Sequence, residues 1–388
     1  MAIEVIRRMM PLVLVALPTV ASACPLGGGR PMFQFENDMR GMTGKDSDDA
    51  YTAGARLGMK DRAVEADKGP ISFLAWPVNR NDSCVTWSAG LALNMYTPSF
   101  IETTAAQPND RPYGAWLYGT SRFAAYRIEE DANGQQDVRS AQAIEYDVGI
   151  LGPGAAGRWF QDTIHRIFGV QSRVGPGIKH PLGWHHQLRN EPGLNVIYLR
   201  SQRLLGPPAL ASSRRFDAVW QSGGALGTIF TWASVGGMAR AGNFVPNDLG
   251  PSHGQASILP ADLPIPDSDP MKAQVSLKPP GQPALSYYFF VGVEGRSVLR
   301  NAFLDGNLLV ADRPDAGRVD KKAFVADLDV GGSVALSGWF RVTYHVIRRS
   351  SEFRTVAVGL PDARPQRYAL VTVEAIHSFR RASGSKRR

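Results

Sequence analysis

The sequence predicts an all-β fold, and three observations favour a membrane-spanning barrel over a soluble sandwich. The chain opens on an export-like segment, its alternating apolar faces are rich in aromatic residues, and charged residues occupy the opposite faces of the same long runs. Period-two alternation alone serves both architectures, because a sandwich hides the apolar face between sheets and a barrel turns it to lipid.

Residues 1–23 read as a signal peptide. Arg7 and Arg8 supply the positive start, Met9 to Val20 the apolar stretch, and Ala21-Ser22-Ala23 a small-x-small cleavage site. That stretch is shorter than the roughly 20 residues a spanning helix needs, and no later segment is long and apolar enough to be one. Of the two cysteines, Cys24 follows the cleavage site and Cys84 stands alone, a spacing that matches no metal motif. They could pair in an oxidising compartment, or Cys24 could be lipidated. Residues 24–379 are expected to form the barrel domain, and residues 380–388 a basic tail carrying Arg380, Arg381, Lys386, Arg387 and Arg388. The formal net charge is +8, which for an exported chain suits anionic lipid headgroups. No nucleic-acid motif is present, so no nucleic-acid partner is expected.

The strand runs follow in order. Ile144, Tyr146, Val148 and Ile150 alternate with Ala143, Glu145, Asp147 and Gly149. Tyr287, Phe289, Val291 and Val293 alternate with Tyr288, Phe290, Gly292 and Glu294; Phe340, Val342, Tyr344 and Val346 alternate with Trp339, Arg341, Thr343 and His345. The final run spans residues 368–379. Asn133-Gly134 and Asp305-Gly306 supply turn chemistry between runs. Residues 205–215 and 247–270, rich in proline and polar side chains, read as long loops.

Several strings carry potential chemistry. Phe35-Glu36-Asn37-Asp38 sets an amide beside a carboxylate at a strand end, and Asp48-Asp49-Ala50-Tyr51-Thr52-Ala53-Gly54 follows closely. Neighbours on a regular strand point to opposite faces, so one of Asn37 and Asp38 is expected to bind and the other to brace. Further strings are Asp110-Arg111-Pro112-Tyr113-Gly114, Tyr146-Asp147-Val148-Gly149, Gly183-Trp184 and Asn190-Glu191-Pro192-Gly193. Residues 159–168 have helical spacing, with Phe160, Ile164, Ile167 and Phe168 on one stripe. His165 lies off that stripe, with Gln161 and Asp162 one turn earlier. A lone histidine beside a helix is ordinarily a surface residue, and an acidic turn at residues 46–49 is ordinarily solvated.

Taken together in this order, the strings resemble the LpxR-type family of outer-membrane lipid A 3′-O-deacylases, over most of residues 35–379. The resemblance implies an antiparallel transmembrane barrel of about twelve strands, with a short helix near the site. It also implies a monomeric, calcium-dependent esterase in the outer membrane of a Gram-negative bacterium, acting on lipid A of the outer leaflet. The implied catalytic and positioning residues are His165, Asn37, Asp38 and Thr52, with Asn37 and Asp38 holding Ca2+. The sequence departs from the family pattern in three places. No arginine precedes Tyr51-Thr52; Gln171 stands where a glutamate is expected six residues after the histidine; and the stretch from Gly169 to Gly183 is longer. Asp162 or Glu191 could supply the missing charge.

Ester hydrolysis needs a nucleophile, a proton acceptor and a stabiliser of the oxyanion. A serine nucleophile on a G-x-S-x-G elbow is not the expected route, and no H-E-x-x-H zinc pattern occurs. That leaves water activated by His165 and a hard cation on oxygen ligands. Two other readings stay open: a phospholipase-like outer-membrane esterase, and a non-catalytic barrel serving as a pore or a lipid A binder.

Overall fold

The structure, a computed structural model, describes residues 30–38, 53–63, 71–75, 77–78, 83–130, 136–172, 174–205, 215–251, 283–336, 340–355 and 363–375. The signal segment, Cys24, the acidic turn, Thr52, the Asn133-Gly134 turn and the basic tail lie outside these residues. Among the described residues fourteen strands run in chain order: β1 (Arg30–Asn37), β2 (Ala53–Ala63), β3 (Ser83–Tyr96), β4 (Gly114–Glu130), β5 (Gln136–Leu151), β6 (Glu191–Leu205), β7 (Phe216–Gly227), β8 (Phe230–Gly242), β9 (Leu285–Asn301), β10 (Val319–Lys321), β11 (Phe324–Leu336), β12 (Phe340–Arg349), β13 (Phe353–Thr355) and β14 (Gln366–Ala375). All but β10 and β13 close into one antiparallel barrel of twelve strands. Its seam is β1 against β14, with Asn37 opposite Ala369. The two short strands pair with each other outside the barrel.

Alternation settles which face is which. On β9, Tyr287, Phe289, Val291 and Val293 are exposed, whereas Tyr288 and Phe290 are buried. Leu57, Leu91, Val148, Leu226, Val235, Val330 and Phe340 continue the exposed apolar surface around the barrel. A band of that extent belongs in hydrocarbon, where closure leaves no strand edge unpaired. The lumen is its polar counterpart. Arg56 donates to the Tyr118 hydroxyl at 2.9 Å and faces Glu145. Asp217, fully buried, accepts from Arg240 at 2.6 and 2.8 Å and lies 3.3 Å from Arg203. Asp329 pairs with His345 at 2.9 Å.

Both mouths of the lumen are filled. At one rim the helix α3 (Ala302–Asp305) buries Ala302, Phe303 and Leu304, with Phe303 stacked on Tyr96 at 4.0 Å. Beside it, buried Arg111 donates to Glu352 at 2.6 Å. At the other rim residues 244–250, of which 247–250 are expected only as part of a loop, fold inward. Asp248 pairs with Arg240, and its carbonyl accepts from Arg203 at 2.5 Å. Asn247 accepts from the Val138 amide at 3.1 Å, and Leu249 is fully buried. Such a plug is dictated by charge, since the arginines of the lower lumen need carboxylates once they leave water. The filled lumen argues against an open pore.

The remaining helices are α1 (Ile71–Ala75) and α2 (Gly157–Phe168). The first belongs to the β2–β3 link. The second belongs to the long β5–β6 link, which rises from the same rim as α3.

Candidate active site

The helix α2 lies against the outside of the barrel, not in its lumen. Strand parity places Leu93, Met95 and Ala115 on the outer face, and all three are nevertheless buried. They pack with Tyr113, Ala155, Trp184 and Phe160 in one apolar cluster, which is the underside of α2 and of the turn at Trp184–His186. Gly157 permits the close approach: a Cβ there would stand 2.5 Å from Ala115 and 2.6 Å from Trp184. Ala156 enters the helix at φ 58, and Gly169 ends it at φ 62, a left-handed cap that suits glycine. At the far end, Phe168 stacks on Phe35 of β1, with ring centroids 6.1 Å apart. The helix therefore spans the outer wall from β4 to β1.

The buried face of α2 is not the apolar stripe. Gly157, Gln161 and His165 face the wall, whereas Trp159, Ile167 and Phe168 are exposed. His165 is thus not the surface histidine that a lone His beside a helix ordinarily is, and the reason is the solvent. At a membrane edge the apolar flank of a helix can face lipid, which leaves polar residues to line the inner cleft. His165 is 2% exposed, and its Nδ1 lies 2.8 Å from the Lys179 carbonyl. A carbonyl only accepts, so Nδ1 carries the proton and Nε2 keeps its lone pair. Burial pushes the imidazole below its ordinary pKa, against the Lys179 carbonyl and Asp162, which pull it up. The ring is therefore neutral at neutral pH, the state a base requires.

Gln161 sits one turn before His165 on the same face. Its Oε1 accepts from Trp184 Nε1 at 2.7 Å, which fixes the amide orientation. Its Nε2 is buried and has no hydrogen-bond partner among the described residues. A buried donor without an acceptor is costly and calls for a ligand.

Asn37 and Asp38 end β1, each 2% exposed. Asn37 has the parity of Phe33 and Phe35, and so lies on the outer face, toward the end of α2. Asp38 follows it on the rim. Asn37 is the last residue of β1 and Asp38 lies just past it, so regular strand alternation does not extend over the pair. Thr52 lies outside the described residues, one position before Ala53, which is directly opposite Asn37.

The other candidates are placed elsewhere. Gln171 is exposed, and its amide folds back on the Gly169 carbonyl at 2.9 Å. It belongs to a small hairpin at residues 170–179, closed by the Lys179 amide on the Val170 carbonyl at 2.8 Å. Asp162 pairs with Arg166 and lies 2.8 Å from His180 Nδ1. Glu191 accepts the Leu308 and Leu309 amides at 2.9–3.2 Å, and so anchors the link after α3. Neither is available to stand in for a glutamate at position 171. His186 bridges Asp315 at 2.5 Å and the Thr104 carbonyl at 2.9 Å, a clasp between loops. A serine string was missed: Gly250-Pro251-Ser252-His253-Gly254 does have G-x-S-x-G spacing. Of this string only Gly250, with φ 98, and Pro251 lie among the described residues.

A closed twelve-stranded barrel with a lipid-facing apolar band defines an outer-membrane β-barrel protein. The chain belongs to the LpxR family: the profile of outer membrane protein LpxR matches residues 9–359. Among solved structures, LpxR from Salmonella typhimurium superposes with a TM-score of 0.61 at 20% identity, covering 90% of this chain and all of that one. The β domain of the Bordetella autotransporter BrkA reaches only 0.39 at 7% identity, over 91% of this chain and all of that one. A Pseudomonas putida F1 outer membrane channel likewise gives 0.39 at 8%, over 93% and 99%. No curated protein matches.

Proposed function

We propose that the protein is an esterase that removes the 3′-linked acyloxyacyl chain of lipid A in the outer leaflet. The observation that carries this reading is the face of α2 turned to the outer wall, where Gln161 and His165 are buried, and the seam between helix and wall is the wedge we assign to the ester. An acyl ester of a lipid can enter it sideways from the bilayer and meet a buried neutral histidine, with no need of the lumen. His165 Nε2 takes a proton from water as that water attacks the ester carbonyl. The Lys179 carbonyl holds the ring in that tautomer and stabilises the imidazolium that results. Proton return from Nε2 to the leaving sugar oxygen completes the cleavage. Gln161 Nε2, unpartnered on the same helix face, is a donor suited to the developing oxyanion.

The adjacent oxygens of Asn37 and Asp38 suit a hard cation rather than zinc, and would hold Ca2+ beside the wedge. Among the described residues no group of three or more His, Cys, Asp or Glu side chains gathers as a metal site. When bound, the ion would supply positive charge toward the ester carbonyl. The test is mass spectrometry of purified lipid A after incubation with the protein, first in chelator and then with single metals restored. Release of one acyloxyacyl chain with calcium is expected; full activity in chelator, or rescue by zinc alone, contradicts the calcium assignment.

Gln161→Glu probes the donor separately. Glutamate keeps the oxygen that accepts from Trp184 but lacks the amide donor. The acyl-release rate should fall by about 10²–10³-fold. A rate near that of the parent protein would show that Gln161 only props Trp184.

A further inference from the structure

Two arginines stand where like charges ought not to meet. Arg348 of β12 and Arg367 of β14 are directly opposite in the antiparallel register. Both are exposed. Opposed residues on such a ladder have Cβ atoms roughly 5 Å apart, and like charges there are destabilising. Neither side chain has a carboxylate partner among the described residues. Arg364, also exposed, lies three positions before Arg367 on the incoming link.

Their position sets what could relieve the repulsion. Arg348 shares parity with the exposed Phe340 and Tyr344, so it points outward. It stands eight residues above Phe340, about 20 Å along the barrel axis for a tilted strand, which puts it at the headgroup level of the bilayer. Leu328 of the apolar band lies directly across from it on β11. On the other side, Arg367 is two residues beyond Ala369, the partner of Asn37. The pair therefore borders the apolar band of β11 on one flank and β1, which carries Asn37, on the other. The strands of Asn37 and Arg348 are separated only by β14, about 10 Å in all.

We infer that Arg348 and Arg367 bind a phosphate on the sugar headgroup of the lipid whose ester lies in the wedge. Two guanidinium forks match the oxygens of a phosphate monoester, which neutralises both. The inference rests on the reading of lipid A as substrate, and it makes the phosphate a determinant of which lipid is positioned for cleavage.

The test compares bisphosphorylated lipid A with the same lipid A stripped of phosphate, in detergent micelles. Binding is followed in a His165→Ala background, and turnover in the otherwise unaltered chain. Replacing both arginines (Arg348→Gln with Arg367→Gln) should weaken binding of the phosphorylated lipid at least tenfold, and raise KM with kcat retained. Binding of the stripped lipid should not change. The heat-modification midpoint should stay or rise, because the repulsion is gone. Equal losses on both lipids, or no loss on either, would overturn the inference. So would competition by phosphatidylglycerol as strong as that by lipid A, since the pair would then be reading bulk anionic lipid. A parent protein that binds phosphorylated lipid A through the pair but never cleaves it would instead overturn the esterase reading alone.

Discussion

Replacing His165 by alanine is expected to reduce acyl release by 10²–10⁴-fold while the barrel still shows its heat-modifiable band. The loss is chemical rather than structural, because the His165 side chain makes one hydrogen bond among the described residues, from Nδ1 to the Lys179 carbonyl, and its backbone bonds survive the substitution. His165→Gln separates the two effects. Its amide can still donate to that carbonyl but cannot take a proton at neutral pH. Both variants should therefore be folded and inactive. An active His165→Gln would remove the histidine from the proton-transfer role.

The largest effect on stability is expected at Asp217. This carboxylate is fully buried and lies between Arg240 and Arg203. Truncation to alanine leaves two buried guanidiniums short of a counter-charge, a loss of about 3–5 kcal/mol by the behaviour of broken buried pairs. The urea midpoint of the refolded barrel in detergent should fall accordingly. Because Arg240 and Arg203 also hold Asp248, the plug at residues 244–250 should loosen in the same variant, read as faster proteolysis near that rim. An unchanged midpoint would mean that water or Asp248 already screens those charges.

The barrel was legible in the sequence because a pleated strand leaves a period-two trace, and a membrane makes that trace steep. Tyr287 to Val293 could be assigned to one face without knowing any partner strand. Which face was inside could not be read from alternation, since lipid and a protein core select the same residues. The same ambiguity hid the orientation of α2. Phe160, Ile164, Ile167 and Phe168 form the stripe that marks a buried face in a soluble protein, yet here Ile167 and Phe168 are exposed, and the fully buried side chains are Gln161 and His165, with only Phe160 of the stripe packed beside them. The plug was illegible for another reason. Residues 247–250 look like loop because their partners, Arg203, Arg240 and Val138, are distant in sequence, and no local period announces an ion pair across a lumen. His165 was found through its resemblance and its helical neighbours, but its contact with Lys179 needed the hairpin to be seen.

The seam between β1 and β14 has a consequence for when the protein can act. Asn37 is aligned by the first strand of the barrel, and that strand is aligned by the last, through Asn37 opposite Ala369. Contacts so far apart in sequence form late, after the intervening chain has lost its freedom. In the site we propose, the wedge under α2 is thus incomplete in any partly assembled sheet, whatever the state of His165. A nascent chain crossing the periplasm, or one stalled during insertion, carries no finished site. Hydrolytic competence arrives with the last strand to dock, so the lipids through which the protein inserts are safe from it until insertion is done.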